Sequence, residues 1–116
     1  MNLATEADRL SKLIDNGVQA LRKTSQDLAN AEHDYRLARA LAWPKTEGTA
    51  KQREDQVNSL TAGERLERDL AEGQRVAALE ALRSRRAQLS ALQSVANAER
   101  AEAEFTRTGP GVRGVA

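Results

Sequence analysis

Between Leu3 and Ala42, small or apolar residues return every three or four positions along an unbroken stretch of chain. Ala7, Ile14, Leu21, Leu28, Tyr35 and Ala42 stand seven apart, and Leu3, Leu10, Gly17, Thr24, Ala31 and Ala38 interleave with them at the same interval. A repeat of that period keeps one face of an α-helix turned toward a neighbour, so it demands a long helix with a buried seam. Leu13, Val18, Leu37 and Leu41 lie off the seam and widen the apolar stripe, which calls for contact with more than one neighbour. Gly17 sits on the seam at a cost of about 1 kcal/mol relative to alanine, and permits either close helix approach or a bend.

Local signals place the ends of this helix. Asn2 is a good N-cap type, and Glu6 and Asp8 put acid at the positive end of the helix dipole. Asp8 with Lys12, and Glu32 with Arg36, are spaced for i,i+4 pairing. Trp43 followed by Pro44 ends the run, since proline disfavours the α conformation in the residue before it. Thr49 and Gln52 have the form of a capping box, predicting a short helix over 50–60 that lies across the turn. Thr61 and Glu64 repeat that form, so a third helix over 62–105 is expected to start after a break; one continuous helix from Ala50 to Phe105 is the alternative. Its apolar residues, Leu66, Leu70, Val76, Ala77, Leu79, Leu82, Leu89, Leu92, Val95 and Ala96, form a broad stripe without a strict seven-residue repeat.

The expected fold is all-α: an antiparallel, coiled-coil-like hairpin of helices over 3–43 and 62–105, with a short helix at the turn. It forms one domain over 1–107, and the Gly- and Pro-rich stretch 108–116 reads as a flexible tail. Charged residues make up 30% of the 116-residue chain and aromatics 3%, so little apolar area is buried per residue and self-association is expected. Eighteen basic against 17 acidic residues leave a net charge of +1, which supplies no overall attraction to nucleic acid or membrane. The absence of cysteine excludes disulfides, thiolate catalysis and cysteine metal sites, and fits an intracellular chain. The longest apolar run, Ala40–Trp43, is far too short for a bilayer span or a signal-peptide core.

Few residues offer chemistry. His33 is the only histidine, and its neighbours Glu32 and Asp34 point in other directions on a helix, so no metal site is expected. Glu99, Glu102 and Glu104, with Arg100, make an acidic helix end with nothing apolar around it to raise a carboxyl pKa. Gly63 and Gly73 are isolated and form no phosphate loop. No catalytic constellation emerges, no cofactor is implied, and an enzyme is not expected.

Two clusters are candidates for binding. Arg75, Arg83, Arg85 and Arg86 could meet nucleic-acid phosphates, although no aromatic residue lies nearby to stack on bases and a solvated helix face is the favoured reading. Leu37, Leu41 and Trp43 near the turn, Leu79, Leu82, Leu89 and Leu92 on the third helix, and Phe105 at its end are candidate protein-contact residues. For Trp43, burial beneath the short helix is favoured over an exposed anchor.

Four stretches carry a resemblance: Tyr35–Ala40 (YRLARA), Glu47–Arg53 (EGTAKQR), Leu89–Ser94 (LSALQS) and Glu102–Pro110 (EAEFTRTGP). Together they resemble small helical proteins of tailed bacteriophages and prophages, the last stretch being similar to versions from phages of actinobacteria. Some of those proteins are encoded near recombination or single-strand-binding genes. The resemblance implies an accessory role in phage DNA metabolism, with no catalytic residue to carry over; action through protein contact is expected, in the cytoplasm of the bacterial host, or in the virion if the protein is a structural component. Direct nucleic-acid binding, a virion assembly or scaffolding part, and an inhibitor of a host defence protein are the alternatives.

Overall fold

Asn2 opens the fold by capping it. Its side-chain oxygen accepts from the backbone N–H groups of Ala4 and Thr5 at 3.0 and 3.2 Å, satisfying two donors that the first turn leaves orphaned. The structure, a computed structural model, describes residues 2–108. Helix α1 then runs unbroken over Leu3–Ala42, straight through Gly17. Trp43–Lys45 form a single 3-10 turn. The helix therefore stops one residue short of the expected Trp43, because Pro44 acts on the residue before it.

Two amide clips shape the connection that follows. Gly48 takes a φ of +108°, a left-handed conformation that a side chain disfavours. From there Thr49 caps α2 (Ala50–Leu60). Its hydroxyl accepts from the Gln52 N–H at 3.2 Å while the Gln52 side chain accepts from the Thr49 N–H at 2.9 Å, the capping box the sequence predicts. The Gln56 side chain also clasps both backbone groups of Glu47, accepting at 3.2 Å and donating at 2.8 Å.

Helix α3 spans Ala62–Thr108, and Thr61 breaks the chain between α2 and α3 with φ −111° and ψ 14°. The break is where the sequence predicts it, but the second capping box does not form. The Thr61 N–H donates to the Val57 carbonyl at 3.0 Å, and its hydroxyl donates to the same oxygen at 2.7 Å. Both groups point back to close α2, and Thr61 lacks the extended backbone with which an N-cap residue turns its side-chain oxygen toward the next helix. At its far end α3 continues three residues beyond Phe105 and takes in Thr108, where the tail was expected to begin. The rest of the expected tail, 109–116, lies outside the described residues. Among the described residues all regular structure is helical, in accord with the all-α class.

Contacts divide the chain into two units, one formed by Met1–Asn16 with Leu82–Ala116 and the other by Gly17–Ala81. In the first unit Leu10 and Leu82 are the buried apolar residues. A groove of about 550 Å³ there is lined from α1 by Leu3, Ala4 and Ala7 and from α3 by Leu92, Ala96 and Asn97. In the second unit Ala42 and Val57 are buried together with Thr46 and Thr61. There Arg75 donates through Nε to the Ser25 hydroxyl at 3.2 Å, and the Arg68 guanidinium lies 4.7 Å from the centre of the Tyr35 ring.

Every residue of the α1 heptad is buried or half-buried. Helix α3 differs from its sequence expectation. Apart from Leu79, its covered residues are Glu64, Arg68, Ala71, Arg75 and Ala78 in one unit and Leu82, Arg85, Leu89, Leu92 and Ala96 in the other. These alternate strictly in steps of four and three, so α3 does possess a seven-residue repeat. It is hidden because arginine and glutamate stems fill four of its ten positions. Leu66, Leu70, Val76, Ala77 and Val95, counted above as part of an apolar stripe, are exposed.

Candidate functional site

The turn of the second unit is organised by one arginine. Arg53, on α2, donates through Nε to the Thr46 hydroxyl at 2.9 Å and through Nη2 to the Trp43 carbonyl at 3.1 Å. Its guanidinium also lies 4.1 Å from the centre of the Trp43 ring, a cation–π contact. Thr46 completes the knot by donating its own hydroxyl to the Trp43 carbonyl at 2.6 Å. Trp43 nevertheless remains 40% exposed. The expectation that α2 would bury it needs correcting: α2 reaches the ring through an arginine, which covers one face and leaves the rest open.

A second arginine ties α1 to α2. Arg39 donates to the Glu54 carboxylate at 2.6 Å, to the Asn58 side chain at 2.8 Å and to the Tyr35 hydroxyl at 3.4 Å. Burial works against the Arg39 charge, but the bonds to Glu54 and Tyr35 outweigh it, and the guanidinium holds its proton more tightly than usual. Tyr35 thus has Arg39 and Arg68 both near its ring.

Around this framework the candidate contact residues separate. Leu37 and Leu41, one helical turn apart and off the α1 seam, are exposed, as is Phe105. Leu82 is buried, and Leu89 and Leu92 are half-buried on the α3 seam, so these three are used within the chain. Leu79 is half-buried beside that seam. Leu60 joins the exposed set, as do Leu66 and Leu70, which the expected apolar stripe of α3 had included. The exposure of Leu66 and Leu70 follows from the polar residues that occupy the α3 seam, a pattern that mean hydropathy does not register.

The arginine cluster also divides. Arg75 and Arg85 occupy seam positions and are half-covered, Arg75 by its bond to Ser25, while Arg83 and Arg86 are exposed. The acidic end of α3 is internally bonded in part: Arg107 donates to both Glu104 oxygens at 2.7 and 2.6 Å, and Arg100 to Asn97 at 2.9 Å. Asp8 and Lys12 pair at 3.1 Å as predicted, whereas no ion pair joins Glu32 to Arg36. His33 is exposed, and among the described residues no group of three or more His, Cys, Asp or Glu is placed to hold a metal ion. No helix among the described residues is long and apolar enough to cross a membrane.

Comparison of the chain with protein-family models finds no match, and comparisons with curated proteins and with solved structures find none either.

Proposed function

We propose that the chain is a non-catalytic phage accessory or adaptor protein that acts through helix-mediated protein contact and self-association. In this reading α1 and α3 form an antiparallel hairpin with α2 at the turn. The meeting of Ser25 with Arg75 and of Tyr35 with Arg68 supports that arrangement, as does the groove shared by Leu3 and Ala7 with Leu92 and Ala96. The observation that carries the functional reading is the density of large apolar side chains left in water in the second unit: Leu37, Leu41, Trp43, Leu60, Leu66 and Leu70. Soluble proteins keep such groups in clusters chiefly where another surface covers them. The phage setting, and a role beside recombination or replication proteins, rest on the resemblance carried by the four stretches quoted above.

Sedimentation of the full chain across a concentration series, with and without short single-stranded DNA, tests the reading. A concentration-dependent increase in mass that ignores DNA supports it; a chain that stays monomeric throughout removes self-association. Arg83 and Arg86, exposed on α3, are the residues through which DNA would act. A DNA-dependent mass change that disappears as salt is raised, and on replacing both with alanine, would put the nucleic-acid reading first.

A further inference from the structure

A shallow groove of about 260 Å³ in the second unit brings together residues from every element of the turn. Ala38 and Leu41 come from α1, Lys45 from the 3-10 turn, Leu60 from the end of α2 and Glu64 from the first turn of α3. The two leucines are among the more exposed large apolar residues described, at 61% for Leu41 and 56% for Leu60. Leu37, one turn before Leu41, extends the same apolar face at 49% exposure. Its lining also holds one cation and one anion, Lys45 and Glu64, and neither takes part in an ion pair among the described residues.

We propose that this groove is the contact surface for a second copy of the chain, docked about a two-fold axis. The inference rests on the self-association reading and assigns it a place. Two-fold contacts require a patch that complements itself, in which residue i meets j of the partner and j meets i. A patch lined by apolar side chains and by one charge of each sign outside any ion pair meets that requirement. Leu41 packs on the second copy's Leu60 and the reverse, while each Lys45 comes to a Glu64 across the axis. A partner with a single-sign surface would leave one of the two charges opposed. Covering the leucines supplies the attraction; the charge pairs set orientation and exclude other registers.

Charge reversal with mixing tests this, read by sedimentation equilibrium of the full chain. Lys45→Glu alone places two carboxylates together at both contacts across the axis, and Glu64→Lys alone places two ammonium groups there. Each variant should weaken self-association by about tenfold or more. An equimolar mixture of the two should recover it as a heterodimer, since one chain then offers two acids and the other two bases. Leu41→Ala combined with Leu60→Ala should weaken association as strongly, and this loss should not be recovered by mixing. Circular dichroism of each variant checks that helix content is kept, and Glu64→Gln gives a neutral control for the α3 terminus.

Wild-type protein that stays monomeric at every concentration overturns both this surface and the self-association reading. Wild-type protein that associates but ignores both reversals overturns the surface and leaves self-association standing. Reversals that weaken association without recovery on mixing show that the two charges act within one chain, which also overturns the proposal.

Discussion

The same replacement, glycine to alanine, should move stability in opposite directions at two positions of the second unit. Gly73 lies inside α3, and an added Cβ meets no atom within 4 Å. Alanine there gains the difference in helix propensity alone, about 1 kcal/mol. Gly48 holds a φ of +108°, and a Cβ would stand 2.3 Å from the Gln52 side-chain oxygen. The left-handed backbone costs alanine about 1–2 kcal/mol. Displacing Gln52 also breaks its bond with the Thr49 N–H, for about 1 kcal/mol more. Gly73→Ala should therefore raise stability by about 1 kcal/mol and the melting temperature by about 4 °C, and Gly48→Ala should lower them by about 2–3 kcal/mol and 8–12 °C. Urea unfolding followed by circular dichroism, at one fixed protein concentration so that association does not intervene, reads both. A Gly73→Ala variant no more stable than wild type would show that a neighbour closes over that face of α3. Equal stability of Gly48→Ala and wild type would refute the role given to the left-handed residue in starting α2.

Three further outcomes follow from the packing. Arg53→Lys keeps the charge but loses the planar group that bonds Thr46 and Trp43 while lying on the indole. Because Trp43 is the only tryptophan, its fluorescence should change in the folded state and stability should fall by about 1–2 kcal/mol; an unchanged spectrum counts against the stack. Arg85→Ala should destabilise by about 1 kcal/mol through lost packing of its stem, whereas Arg83→Ala should be neutral in thermal melts; equal effects would contradict the α3 seam. Hydrogen bonds from Arg9 hold the Glu6 carboxyl below its ordinary value, against a smaller opposing effect of burial. The folded state therefore gains from this group above the unfolded carboxylate pKa, and loses that gain as pH falls through the depressed folded value. Stability of Glu6→Gln should accordingly decline less on acidification than wild type, and a steeper decline would reverse the assigned sign.

The α1 heptad, the Asn2 cap, the stop before Pro44 and the capping box at Thr49 could all be read from the sequence. Each depends on residues a few positions apart, where helix geometry alone relates them. The second box, at Thr61, misled because the backbone of Thr61 is set by how α2 and α3 meet, and it turns the hydroxyl toward the Val57 carbonyl at the end of α2. The α3 repeat was hidden for a different reason. Arg68, Arg75 and Arg85 are polar in composition, yet their stems cover a seam while their heads find Tyr35, Ser25 or solvent, and only a neighbouring helix makes that distinction. Once those positions are filled by arginine and glutamate, Leu66 and Leu70 are left outside, and at the turn Leu41 and Leu60 share a groove with Lys45 and Glu64. Periodicity in one chain segment determines that a helix has a buried face; which residues fill the opposing face, and which apolar groups remain in water, is decided by packing between segments distant in sequence.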